Sequence, residues 1–197
     1  MSLIIDNYYF IFFTLLILFQ LQFFLLNLYV KLKTRSKVRG KSTEATVFIL
    51  CVLALYTIVF INIFYPTDHI IFNKFIPKSN TLLLVALFVL LLGFTLGIFS
   101  SINLGKSWRV GVSTDMNTVL VQSGIYKFIR NPYFLSYCFI LVSVILAFPN
   151  ILIVSISVIA LFFIHKMILA EEAHLFKVHG ATYIEFKKKT WRYFPPF

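Results

Sequence analysis

Glu171 and Glu172 stand side by side at the end of a long apolar run, in a chain that holds only seven acidic residues. Before that run comes Arg130-Asn131-Pro132, preceded by Gly124-x-Tyr126 and followed by Tyr133 and Phe134. Such polar groups beside apolar segments are costly to desolvate unless something pairs with them. An anionic, aromatic-rich pocket suits a cationic group such as a sulfonium or an ammonium. Gly124 permits a tight turn, and Pro132 pushes Asn131 toward an extended conformation, so irregular backbone is expected just before the apolar run. At membrane depth such backbone is tolerated where it lines a cavity. These residues are therefore expected to build a cofactor site at a membrane surface. The plainer alternative uses Tyr126, Tyr133 and Arg130 as headgroup anchors, or Arg130 as the ion-pair partner of the glutamates.

Other chemistries fit less well. Glu171 and His174 have the Glu-x-x-His spacing of carboxylate metal sites, but no second such pair exists among four histidines, and no metal is expected. Neither GVSTDMN nor LGKSW has the spacing of a phosphate-cradling loop, and no nucleophile triad is legible. The formal charge of +11 does not point to nucleic acid, because the basic residues cluster beside apolar runs. Cys51 and Cys138 lie inside apolar runs, and no disulfide is expected.

The elements that must position these groups are membrane helices. A mean hydropathy of +0.91 with 13% charged residues lies far outside the soluble range. The pattern predicts an all-α integral membrane protein with five transmembrane helices, about 8–30, 45–65, 80–102, 134–148 and 151–170. The first has no basic segment before it and no cleavage site after it, so it reads as a retained anchor. Gln20, Gln22 and Asn27 interrupt it and are expected to face protein rather than lipid. Gly93, Gly97 and Ser101 give the third span a smooth face that lets another backbone of the same chain approach. The stretch 134–170 would make a helix of about 55 Å, too long for one span. Pro149-Asn150 near its middle therefore predicts a helical hairpin of two rather short arms.

Six Lys and Arg fall in 31–41, four in 103–133, six in 166–197 and two in 66–79. With five spans and the N-terminus outside, all but the last pair share the cytoplasmic side. If the final helix continues past the glutamates until Gly180 caps it, Glu171 lies over Met167 and Leu175, and Glu172 over Ile168 and Phe176. The chain then divides into three N-terminal spans, 1–103, and a site-bearing region, 104–197, ending in a cytoplasmic C-terminal helix. An inner cell membrane is the expected location, with membrane lipids as neighbours.

LGKSWR at 104–109, LVQSGIYKFIRNPYF at 120–134, the proline-turned hairpin and EEAHLFKVHGATYIEF at 171–186 together resemble the isoprenylcysteine carboxyl methyltransferase family and its phospholipid methyltransferase relatives. The shared pattern is Gly-x-Tyr, Arg-His/Asn-Pro-x-Tyr, Glu-Glu-x-x-Leu and Gly-x-x-Tyr. The resemblance implies methyl transfer from S-adenosylmethionine, with S-adenosylhomocysteine as product, to a lipid-like or prenylated acceptor, foremost a prenylcysteine carboxylate. Carried over, Val119, Leu120 and Val121 would give backbone contacts to the cofactor, and Tyr126, Asn131, Pro132, Tyr133, Phe134 and Glu171 would line its pocket. Glu171 would hold the cofactor, Arg130 would orient Glu172 or the cofactor carboxylate, and these three would form the catalytic group. Trp108, Arg109, Lys166 and Met167 would face the acceptor. Phe134 replaces the family tyrosine, and HKMIL stands where an arginine precedes the glutamates in the eukaryotic prenylcysteine enzymes. A phospholipid amine or small thiol as acceptor, an NADPH-dependent sterol-type reductase, and a non-enzymatic protein on the same fold are the competing readings.

Overall fold

The computed structural model describes residues 2–34, 42–65, 79–105 and 119–194. The described residues form helices α1 (Ser2–Thr34), α2 (Thr43–Phe64), α3 (Asn80–Leu104), α4 (Pro132–Ala147), α5 (Ile151–His179) and α6 (Ala181–Lys189), with a 3-10 turn at Gly124–Lys127 before α4. No strand occurs among them beyond one isolated bridge, Ile129 to Trp191. Four helices are long and apolar enough to cross a membrane: α1 over Asn7–Tyr29, α2, α3 and α5. Leu50, Leu53, Phe88, Phe99 and Phe162 are each more than half exposed, an apolar surface that suits lipid and not water. The described residues are all-helical in their regular structure, and the chain is an integral membrane protein.

Two expected spans come out differently. The arm expected at 134–148 is α4, 16 residues from Pro132 to Ala147, or about 24 Å of helix against about 30 Å of hydrocarbon. It starts where Pro132 can occupy the first turn, and it stops because Pro149 cannot continue it. The arm expected at 151–170 is the apolar part of a longer helix. Nothing between Ile151 and His179 breaks α5, which ends only at Gly180, φ +51°. At its start Asn150 is fully buried and its Oδ1 accepts from the Ile153 amide at 2.9 Å, a cap that satisfies one of the free N–H groups of the first turn.

α3 packs along α4, α2 along α5, and α1 lies against α3 and α2, while α4 also meets α5. The small-residue face of α3 does what its spacing predicts. A Cβ on Gly93 would come within 2.9 Å of Phe139 Cβ and 3.0 Å of the Ser136 carbonyl, and one on Gly97 within 2.9 Å of Phe19. Because lipid tails are as apolar as these side chains, such close packing, rather than exclusion of water, is what holds the helices together. Polar residues add bonds between them: Gln22 Nε2 donates to Ser101 Oγ at 3.2 Å, and Tyr56 Oη to the Leu16 carbonyl at 2.8 Å. Tyr137 on α4 sits in an aromatic cage, with Phe19, Phe48 and Tyr133 at ring distances of 4.9, 5.1 and 5.7 Å. This cage forms one wall of the site.

Candidate functional site

The segment before α4 is irregular, as its glycine and proline demand. Gly124 has φ +59°, and a Cβ there would strike the side-chain amide of Asn103, so both conformation and space require glycine. The turn that follows buries Tyr126. Beyond it, residues 128–131 are bound by the end of the chain: Trp191 N donates to the Phe128 carbonyl at 3.0 Å, and Arg130 N to the Trp191 carbonyl at 2.7 Å. Arg130 Nη1 donates to the carbonyls of Lys187, at 3.1 Å, and Thr190. Tyr193 Oη and His165 Nδ1 lie 2.7 Å apart. The segment after α6 is therefore a strap that fastens the start of α4 to the second half of α5.

The strap carries the chief partner of Glu172. Arg192 makes a two-pronged contact, Nε to Oε1 at 3.1 Å and Nη2 to Oε2 at 2.8 Å. Asn131 Nδ2 donates to Oε1 at 3.0 Å, and Arg130 Nε stands 3.4 Å from the same oxygen. Asn131 precedes α4 without capping it, because its amide is engaged across the helix pair. The carboxylate raises the affinity of the Arg192 guanidinium for its proton still further. Glu172 is buried, and a buried carboxylate is stable only when its lone pairs are met in this way.

Glu171 is the opposite case. One residue along, and so about 100° around the helix, it makes no hydrogen bond or ion pair with any described residue and lines a cavity of about 80 Å³. Tyr126, Arg130, Asn131 and Gln20 share that cavity with it, and Phe48, Val52, Tyr133, Phe134, Tyr137 and Met167 supply much of its apolar wall. Burial, and secondarily the Glu171 charge, push the Tyr126 phenol well above its usual range, so it stays a protonated donor.

Of the expected site residues, Tyr126, Arg130, Asn131, Tyr133, Phe134, Met167 and Glu171 meet around this cavity. Glu172 lies behind it, engaged by Arg192. Val119, Leu120 and Val121 are not among its lining residues, and Val119 is 72% exposed. Pro132 is fully buried in the first turn of α4 and shapes the backbone without lining the cavity. Lys166 points outward, its ammonium 5.8 Å from the Phe162 ring, because it follows the exposed face of α5 while Met167 takes the inner one. Trp108 and Arg109 lie outside the described residues. Tyr183, of the Gly-x-x-Tyr pattern, is buried, and burial and then the Glu172 charge push its phenol up to about 12. Among the described residues no three His, Cys, Asp or Glu are grouped to hold a metal.

Sequence reasoning did not single out Arg192. Its signal was present, as the one arginine in a tail whose other basic residues near it are Lys187, Lys188 and Lys189. An arginine there marks a planar two-pronged contact that lysine cannot make. Gln20 was legible only as a polar interruption of an apolar helix.

No curated protein matches the chain. A family model does: residues 84–177, running from α3 through Arg130 and Asn131 and past both glutamates, match the isoprenylcysteine carboxyl methyltransferase (ICMT) family. Through that region the chain is similar to the ICMT family, a family of methyltransferases.

Proposed function

We propose that the chain transfers a methyl group from S-adenosylmethionine to the carboxylate of an isoprenylcysteine-type acceptor held in the membrane. The observation that carries this reading is the Glu171 carboxylate, unpaired among the described residues and lining a cavity with Tyr133, Phe134 and Tyr137. A carboxylate with aromatic faces around it is the donor set that a sulfonium requires, so the residues present fit the cofactor. About 80 Å³ holds the reacting ends of two ligands and not either ligand whole, since drug-sized ligands need about 300 Å³ or more.

Bound S-adenosylmethionine would supply a methyl on a sulfonium, whose carbon–sulfur bond breaks as the bond to the acceptor oxygen forms, leaving a neutral thioether and a neutral ester. Glu171 holds the positive charge at the start of this displacement. The apolar walls strip water from the acceptor carboxylate, and the rigid cage around Tyr137 fixes the line of attack. A carboxylate nucleophile brings no proton to remove, so no side chain need act as a base. Glu172, with its oxygens taken by Arg192, Asn131 and Arg130, is a positioning residue that sets the rotation of α5. Arg130 holds the strap and Glu172.

We further propose that α4 completes a five-span topology with the N-terminus outside and the cavity facing the cytoplasm of an inner cell membrane, from the one-sided distribution of Lys and Arg. Ser36→Cys should resist labelling by an impermeant thiol reagent outside intact cells. Rapid labelling there would reverse the topology.

Calorimetry of S-adenosylmethionine, whose sulfonium Glu171 would hold, with the detergent-purified protein tests the chemistry. Saturable binding that is lost in Glu171→Gln and unaffected by NADPH is the expected result. Binding of NADPH in place of S-adenosylmethionine would replace the methyltransferase reading with a reductase.

A further inference from the structure

We infer that Gln20, on α1 and outside the family-matched region, positions the polar head of the methyl acceptor by accepting a hydrogen bond from its amide N–H. Gln20 lines the same cavity as Glu171, and its Oε1 is buried with no hydrogen-bond partner. A buried carbonyl oxygen left unpaired carries an uncompensated desolvation cost, and a ligand that brings a donor recovers it.

The nitrogen donors at the polar end are engaged. Asn131 Nδ2 donates to Glu172, and Arg130 is divided among Glu172 and two backbone carbonyls. Among the described residues the unpaired oxygens of the cavity include Asn131 Oδ1 and the Tyr126 hydroxyl, a charged one, Glu171, and a neutral one sealed from solvent, Gln20 Oε1. The last two match two different demands. The anion suits a cation, whereas a neutral amide oxygen among apolar side chains suits a neutral N–H or O–H.

The reading of the acceptor as a cysteine-type carboxylate, on which this inference rests, makes the donor specific. Such a molecule carries a thioether, an apolar tail and a carboxylate, none of which donates a hydrogen bond. Its only donor is the nitrogen on the carbon next to the carboxylate. When that nitrogen is acylated, as in a peptide, it is a neutral N–H one bond from the atom bearing the reacting group. Gripping it fixes the carboxylate to within a bond rotation of its attacking position. Gln20 thus selects peptide-like over desamino acceptors, and it does so from a helix that the family pattern does not include.

The test uses two ligands that differ only in this donor, N-acetyl-S-farnesylcysteine and S-farnesylthiopropionic acid, titrated into the detergent-purified full chain. The wild type should bind the first about tenfold more tightly, the value of one buried hydrogen bond. Gln20→Leu should bind the two equally, with Gln20→Met as the second variant should the leucine protein fold poorly. Gln20→Glu, which still accepts, should keep the preference. S-adenosylhomocysteine affinity should be the same in all of them. Equal binding by the wild type, a preference that survives in Gln20→Leu and Gln20→Met, or binding of neither ligand would each overturn the inference. If S-adenosylhomocysteine binds and the wild type binds both acceptors, only the role of Gln20 has failed; if the wild type binds neither acceptor, the acceptor reading has failed; and if S-adenosylhomocysteine does not bind at all, the methyltransferase reading has failed instead.

Discussion

The two sides of α5 at residues 171 and 172 carry the same functional group in contrasting surroundings. Glu172 is met by Arg192, Asn131 and Arg130, and the groups that meet it come from the start of α4 and from the strap. Glu171 faces the cavity with no partner among the described residues. A carboxylate that is fully paired contributes to holding the fold and has no capacity left for a ligand. One that is left unpaired costs stability and is available for binding. The difference teaches that the protein separates the two tasks by a single helical step.

Neutralising Glu171 and removing the partner of Glu172 should therefore have opposite effects on stability. The largest functional effect is expected from Glu171→Gln, which should lower S-adenosylmethionine affinity by more than about 30-fold, the order of a lost charge-assisted interaction, with a smaller loss for the uncharged S-adenosylhomocysteine. Its melting temperature should stay level or rise, since an unpaired buried charge is removed. A fall in melting temperature would mean that Glu171 has a structural partner and would undo the contrast. Arg192→Leu should do the reverse, costing about 2–4 kcal/mol of stability by leaving Glu172 partly unpaired, with a smaller, roughly tenfold loss of affinity as α5 loses its anchor. Arg192→Lys should recover only part of this, because an ammonium cannot make the two-pronged contact. Full recovery would reduce the strap to a point charge.

Gly93→Ala perturbs the bundle away from both glutamates. Its new methyl would meet Phe139 and the Ser136 carbonyl, for an expected cost of about 1–3 kcal/mol in thermal stability and no change in ligand affinity. A loss of affinity equal to the loss of stability would show that the cavity depends on the α3–α4 contact as much as on the strap. The smallest effect is expected from Tyr193→Phe, which removes the contact with His165 at about 1 kcal/mol or less. A loss as large as that of Arg192→Leu would place the main anchor of the strap at its tip instead.

The sequence by itself determined what depends on neighbours a few residues apart. It set the number and length of apolar runs, the break at Pro149-Asn150, the close-packing face of Gly93 and Gly97 and the turn at Gly124. It also marked the Arg130–Phe134 and Glu171–Glu172 stretches as the place for chemistry. It bounded α4 and α5 by apolar length, which marks a membrane segment, whereas the helix ends are set by Pro132, Pro149 and Gly180. Which carboxylate is paired and which is open was decided by tertiary structure alone. So was the joining of Gln20 from α1 to a cavity built mostly on α2, on α4 with the segment before it, and on α5, and the return of Arg192 to Glu172. Helical periodicity fixes which side chains share a face over one or two turns. It does not say which faces of separate helices meet, and that follows only when the whole bundle packs with its buried polar groups satisfied.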